Sequence, residues 1–164
     1  MERNDKAPRR RTDKRRGGFT LVELMVAVSI VGIVAGLAIP NLRTMIYRAR
    51  AAEVSADLEV VRVAALQYQA EQNSWPGEEL VGVVPAGLGI YLPDNFVFAG
   101  NGYELDYENW DFPGGFPGDP TTTQLIGVSV TADTNELGNA VAEFLGGAIV
   151  FSVGNTHTIV IGRI

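Results

Sequence analysis

Residues 19–39 read FTLVELMVAVSIVGIVAGLAI, and Glu23 is the one ionisable side chain in that run. Its length suits a helix crossing about 30 Å of hydrocarbon. Three kinds of segment share this signature after a basic region: an ordinary secretory signal, a twin-arginine signal built here on Arg15 and Arg16, and an anchor that is retained. A secretory signal ends in small residues after its apolar region. Here Pro40, Asn41, Leu42 and Arg43 follow, and the nearby Ala-x-Ala lies at residues 49–51. The small pair Gly17-Gly18 stands before the run instead.

Charge is segregated around this run. Residues 1–18 hold eight bases (Arg3, Lys6, Arg9, Arg10, Arg11, Lys14, Arg15 and Arg16) against Glu2, Asp5 and Asp13, a net +5; the rest holds five bases against 16 acids, a net −11. Phosphate binding is driven by cationic surface, so the acidic body argues against nucleic acid as main partner. The basic tract could bind nucleic acid itself. Placed directly before an apolar run, it is better explained by the bias that keeps positive loops in the cytoplasm. At 164 residues the chain has room for one small domain and an appendage. Without cysteine it forms no disulfide and no thiolate metal site.

An acid within a lipid-facing segment costs about 2.5–3.5 kcal/mol on insertion scales unless it finds a partner. No Lys or Arg lies in residues 19–42. Cleavage between Gly18 and Phe19 would create a local cation, an amine mostly protonated below a pKa of about 7.7–8.0. Glu23 stands one helical turn from Phe19, so it could pair within its own chain or with a neighbour's amine. The alternative is that Glu23 snorkels to the interface near the end of the segment.

Gly18-Phe19-Thr20-Leu21-Val22-Glu23-Leu24, the apolar run and Pro40 together resemble the class III signal of type IV pilins and type II secretion pseudopilins. The resemblance is close over residues 15–42. It implies a basic leader, residues 1–18, removed by a membrane aspartyl prepilin peptidase after Gly18, with N-methylation of Phe19. It implies that Glu23 engages a neighbouring subunit's amino terminus. It also implies an inner-membrane assembly platform, membrane lipid as the surroundings before assembly, and a helical homopolymer with itself and other pilins as the product. The location implied is a single pass through the inner membrane with the head outside the cytoplasm, then an extracellular pilus or periplasmic pseudopilus. Gly32 and Gly36 form a small-xxx-small pair that permits close helix approach. Pro40 lacks a backbone donor and should kink or loosen the helix; residues 32–40 resemble the stretch that is extended in assembled filaments of the family.

Beyond the transmembrane and assembly helix, residues 19–40, residues 41–74 continue as an amphipathic helix. Val54, Leu58, Val61, Ala65 and Tyr68 form one apolar stripe. Arg50 with Glu53 and Glu59 with Arg62 lie at helix-neighbour spacing on the solvated remainder. Residues 73–77, NSWPG, supply a stop. A helix over residues 19–73 would be about 80 Å long at 1.5 Å per residue. Residues 75–164 hold 15 of the 19 glycines and six of the eight prolines, the composition of a turn-rich head. Residues 102–108 alternate Tyr103, Leu105 and Tyr107 with Glu104, Asp106 and Glu108, predicting a strand with one apolar and one acidic face. Residues 124–131 predict a second strand. Residues 133–145 predict a short helix capped by Asp133 or Thr134, and residues 148–153 and 156–161 a hairpin across Gly154-Asn155. The expected class is α+β: a pilin fold whose long N-terminal helix packs on a small antiparallel sheet.

His157, the sole histidine, excludes a His-based metal cluster and, beside a turn, reads as solvated. Glu104, Asp106 and Glu108, with Asp111 and Asp119, offer hard oxygen ligands to Ca2+, yet their spacing matches no calcium loop. No metal or cofactor is expected beyond that candidate. Trp110, Phe112 and Phe116 stand in a turn-rich loop at residues 109–120, where they either plug the head's core or anchor a contact. No phosphate loop, nucleotide fingerprint or nucleophile elbow occurs. The expectation is a structural subunit, not an enzyme: a type IV pilus subunit, a type II secretion pseudopilin, or a minor or competence pilin. The contrasting reading is a binding or enzymatic domain that uses residues 19–39 merely as a tether.

Overall fold

The computed structural model describes residues 18–164, so all of the expected leader but Gly18 lies outside the described residues. The architecture is α+β. A 52-residue helix, α1 (Leu21–Gln72), is followed by a four-stranded antiparallel sheet and a second helix, and the chain divides into two units at Pro40.

Among the described residues of the first unit no side chain is buried, and Leu21, Val22, Leu24, Met25, Ile30, Val31, Ile33 and Leu37 are each at least half exposed. A surface of this kind in water would lose about 25 cal/mol for every Å² of apolar area left uncovered. It is long and apolar enough to cross a bilayer. The helix begins where Thr20 caps it, and Ser29 Oγ donates to the Met25 carbonyl at 2.8 Å, which satisfies the second hydroxyl of the apolar run. The assignment runs unbroken through Gly32, Gly36 and Pro40, so the stretch expected to be extended in an assembled filament is helical in the single chain.

In the second unit, residues 41–164, α1 continues and buries Ala51, Val54, Leu58, Val61, Ala64 and Ala65. Tyr68, the last member of the predicted stripe, is half-buried at the margin of the same cluster. The helix stops at Asn73, whose φ of 52° is a left-handed value that Asn tolerates better than most side chains. Strand β1 (Tyr103–Asp111) pairs with β2 (Gln124–Ala132), β2 with β4 (Thr156–Arg163), and β4 with β3 (Ile149–Val153), giving the order β1-β2-β4-β3. Tyr103, Leu105 and Tyr107 of β1 and Ile126, Val128 and Val130 of β2 point to one face. They join α1 in a single core. Helix α2 (Asn135–Leu145) adds Leu137 and Val141. Its cap is Thr134, not Asp133: the Thr134 hydroxyl accepts from the Leu137 amide at 3.3 Å. Residues 73–102 are mostly irregular and close one end of the core with Leu88 and Phe98.

His157 corrects the expectation of a solvated side chain. It is 4% exposed and lies in β4 opposite Val130. Its Nε2 is 3.0 Å from the Gly138 carbonyl of α2, which can only accept, so Nε2 carries the proton. Nδ1 shares a hydrogen bond of 2.9 Å with Ser152 Oγ. The period-2 pattern of β4 held this signal, since it puts His157 on the face of Ile159.

Candidate assembly segment and outer sheet face

The capping of α1 decides what Glu23 does locally. One carboxylate oxygen, Oε2, accepts from the Thr20 amide and from Thr20 Oγ1, both at 2.9 Å, and Thr20 Oγ1 accepts from the Glu23 amide at 3.2 Å. This is a reciprocal capping box, whose sequence signal is the spacing Thr20-x-x-Glu23. It satisfies backbone donors that a helix start in hydrocarbon would otherwise leave open. Phe19 is 85% exposed beside it. At Gly32 and Gly36 an added Cβ would have no neighbour within 4 Å, so this side of the helix is open to another chain.

In the second unit, the sheet face away from α1 holds the other candidates. Alternation along β1 sends Glu104, Asp106, Glu108 and Trp110 to this outer face. Trp110 stands opposite Leu125, and its ring meets Phe151 of β3 edge-on at 6.0 Å. Phe112 and Phe116 form a second edge-on pair at 5.2 Å. These rings do not enter the core shared by α1 and the sheet, so they do not plug it. They line an open cleft of about 230 Å³ with Leu125 and Phe151, and a neighbouring cleft of about 360 Å³ runs from Phe116 to Val150 and Arg163.

The loop that holds Phe112 and Phe116 is tied at both ends. The Phe112 amide donates to the Thr123 carbonyl at 2.7 Å and the Phe116 amide to the Thr122 carbonyl at 2.8 Å. Asp119 accepts from Thr121 Oγ1 at 2.6 Å and from Thr122 Oγ1 at 2.7 Å, and these bonds hold its carboxyl below the usual range. Gly115, with φ of 82°, packs so closely on Pro120 that a Cβ would lie 2.6 Å from its Cα. Only glycine suits both conditions.

Burial pushes the Asp106 carboxyl up to about 6, and the neighbouring Glu108 and Glu78 add to the shift. Glu108 is also raised, again chiefly by burial, while it accepts from Ser129 Oγ at 3.0 Å. Successive acids on one strand face stand about 7 Å apart, whereas Ca2+ needs its oxygens at about 2.3–2.6 Å from one centre. Among the described residues no group of three acids or histidines converges to hold a metal.

Residues 13–39 match the family described as the prokaryotic N-terminal methylation motif. A fimbrial protein of Neisseria meningitidis serogroup B is 38% identical over 60 residues, covering 37% of this chain and 35% of that one. The type IV major pilin protein PilA of Myxococcus xanthus is 35% identical over 65 residues, covering 40% and 30%. The type II secretion system core protein G of Pseudomonas aeruginosa is 28% identical over 102 residues, covering 61% of this chain and 72% of that one. The chain thus spans about a third of the length of the fimbrial and pilin relatives. No solved structure matches it. The N-terminal segment thus carries the methylation motif, and the chain is similar both to type IV pilins and to a type II secretion core protein.

Proposed function

We propose that this chain is a structural subunit of a type IV pilus or a related filament, made as a precursor and polymerised through residues 19–40. The observation that carries the reading is the pairing of an apolar helical stretch without a buried side chain, residues 21–40, with a single carboxylate one turn from Phe19, inside the stretch that matches the methylation motif. Prepilin peptidase removes residues 1–18 on the cytoplasmic side and methylates Phe19. Lipid covers the helix before assembly, with the head outside the cytoplasm. In the filament, helices of neighbouring copies replace lipid, close approach being eased at Gly32 and Gly36.

Glu23 then has two tasks that its two oxygens divide. Oε2 is held by Thr20. Oε1 accepts the ammonium of Phe19 from an adjacent subunit. A charge pair in hydrocarbon is favourable only when both ions are hydrogen-bonded, and Thr20 supplies that support before the partner arrives. The inner-membrane assembly platform brings the copies together. The alignment with core protein G covers more of both chains than those with the fimbrial protein and PilA, which favours a second reading as a secretion pseudopilin.

Mass spectrometry of the mature protein, with electron microscopy of sheared surface fibres, tests the proposal. An N-methylated Phe19 terminus and fibres containing the chain are expected. A native polypeptide that retains its basic extension overturns it. Loss of protein export without loss of surface fibres on deletion selects the pseudopilin reading.

A further inference from the structure

The outer sheet face carries an apolar cleft that nothing covers among the described residues, and its surroundings specify the charge of an occupant. Trp110, Phe116, Leu125 and Phe151 form its floor. β3 is the sheet edge beside it, and residues 144–162 contain no Asp, Glu, Lys or Arg. Edge strands are ordinarily blunted by charge or proline. Here Val153 is 80% exposed and Phe151 38%. Along the opposite edge, β1 leads into the cleft with Glu104, Asp106 and Glu108, and Glu78 adds to the negative field at Asp106 and Glu108. The two ion pairs found among the described residues are Arg48–Glu143 and Arg62–Glu59, and neither involves this ladder. A second copy is a poor source of counter-charge, since from residue 19 onward acids outnumber bases 16 to five.

We propose that this face binds a cationic segment of another protein in extended form. Its Lys or Arg side chains sit at alternate positions over Glu104, Asp106 and Glu108, and an aromatic or branched apolar side chain fills the cleft between Trp110, Phe116 and Phe151. An extended chain repeats every two residues at about 7 Å, the same interval as the acids, so all three positions stay in register. The apolar anchor supplies the desolvated centre on which affinity depends, and the acids supply orientation and rate of encounter. The proposal is independent of whether the chain polymerises.

The test uses the full-length chain in detergent micelles and fluorescence anisotropy of labelled synthetic peptides. One peptide alternates lysine and threonine and ends in phenylalanine. A second replaces each lysine with glutamate, and a third has the same composition as the first with its lysines adjacent. The alternating lysine peptide is expected to bind at least tenfold more tightly than either control. Glu104→Gln/Asp106→Asn/Glu108→Gln should weaken it at least tenfold and flatten its salt dependence. Phe151→Ala should weaken it without changing the salt slope. Far-UV circular dichroism checks that both variants fold. Equal binding of the three peptides, unchanged affinity in the triple variant, or no binding at millimolar peptide overturns the proposal. So does cross-linking of this face to another copy of the chain, which would make the occupant a second subunit.

Discussion

Trp110 on β1 and Phe151 on β3 meet edge-on with ring centroids 6.0 Å apart, although β2 and β4 lie between their strands. Gly127 of β2 makes this contact possible. A Cβ there would stand 3.0 Å from Trp110 Cζ3 and 3.1 Å from Thr158 Cγ2. The Trp110 ring leans over a strand position that has no side chain and so reaches towards Phe151 across the floor of the outer cleft.

Gly127→Val should therefore disrupt the cleft while leaving the core intact. Overpacking of this kind costs about 1–3 kcal/mol. The expected result is a lower thermal midpoint and a changed near-ultraviolet circular dichroism signal from the displaced Trp110, with far-ultraviolet circular dichroism unchanged. An unaltered near-ultraviolet spectrum would show that the rings do not depend on Gly127.

Asp106 gives the head a pH dependence with a definite sign. Its folded pKa, raised to about 6, lies above the reference value of about 3.9. The folded state binds more protons than the unfolded state between those values, so stability falls as pH rises from about 4 through 6. Glu108 is raised too and acts in the same direction. Asp106→Asn stays neutral throughout. Its thermal midpoint should equal the parent's near pH 4 and exceed it at pH 7 by about 1–3 °C, a small effect because the carboxyl is only half-buried and water screens it. A difference that does not vary with pH would refute the assignment.

Removing His157 tests a tie between β4, β3 and α2. His157→Leu keeps the volume apolar but leaves the Gly138 carbonyl and the Ser152 hydroxyl without the bonds that His157 makes. A buried polar group left unsatisfied costs about 1–3 kcal/mol. Chemical denaturation should register a loss in that range, and hydrogen exchange should rise in α2 ahead of β1. A loss under 0.5 kcal/mol, roughly the scatter of surface substitutions, would mean that water replaces both partners.

Features with a short repeat were the legible ones. The stripe Val54, Leu58, Val61, Ala65 and the alternation Tyr103, Leu105, Tyr107 each name a buried face directly, because one side of a helix or strand must meet the core. The turn at Gly154-Asn155 sets the β3–β4 register, which places Val153 against Thr156. What stayed hidden depends on elements distant in the chain. β1 was expected to end at Glu108 but runs on to Asp111, because β2 offers partners as far as Gln124. The burial of His157 is of this kind, because its proximity to a turn says nothing of α2 arriving over it. Trp110, Phe112 and Phe116 were open to two readings because composition does not say on which side of a sheet a loop lies. In the assembly segment the charge of Glu23 stood out, while its bond to Thr20 was hidden by that prominence.

Thr20 and Glu23 can be separated experimentally, because the geometry gives them unequal parts. Glu23→Ala removes both the cap and the carboxylate proposed to meet a neighbour's ammonium. It should leave cleavage after Gly18 unchanged and reduce filament number at least tenfold. Thr20→Val removes the hydroxyl but keeps the Thr20 amide as a donor to Glu23 Oε2, so the carboxylate keeps one of its two tethers. Losing a capping hydroxyl costs about 1 kcal/mol, which corresponds to about a fivefold weaker association if it is expressed wholly in assembly. Filament counts in the order parent, Thr20→Val, Glu23→Ala, with equal amounts of processed subunit in all three, would support preorganisation of the acid by its neighbour. Equal counts for parent and Thr20→Val would leave Glu23 acting without that help, and normal counts for Glu23→Ala would remove the ion pair from the account of assembly.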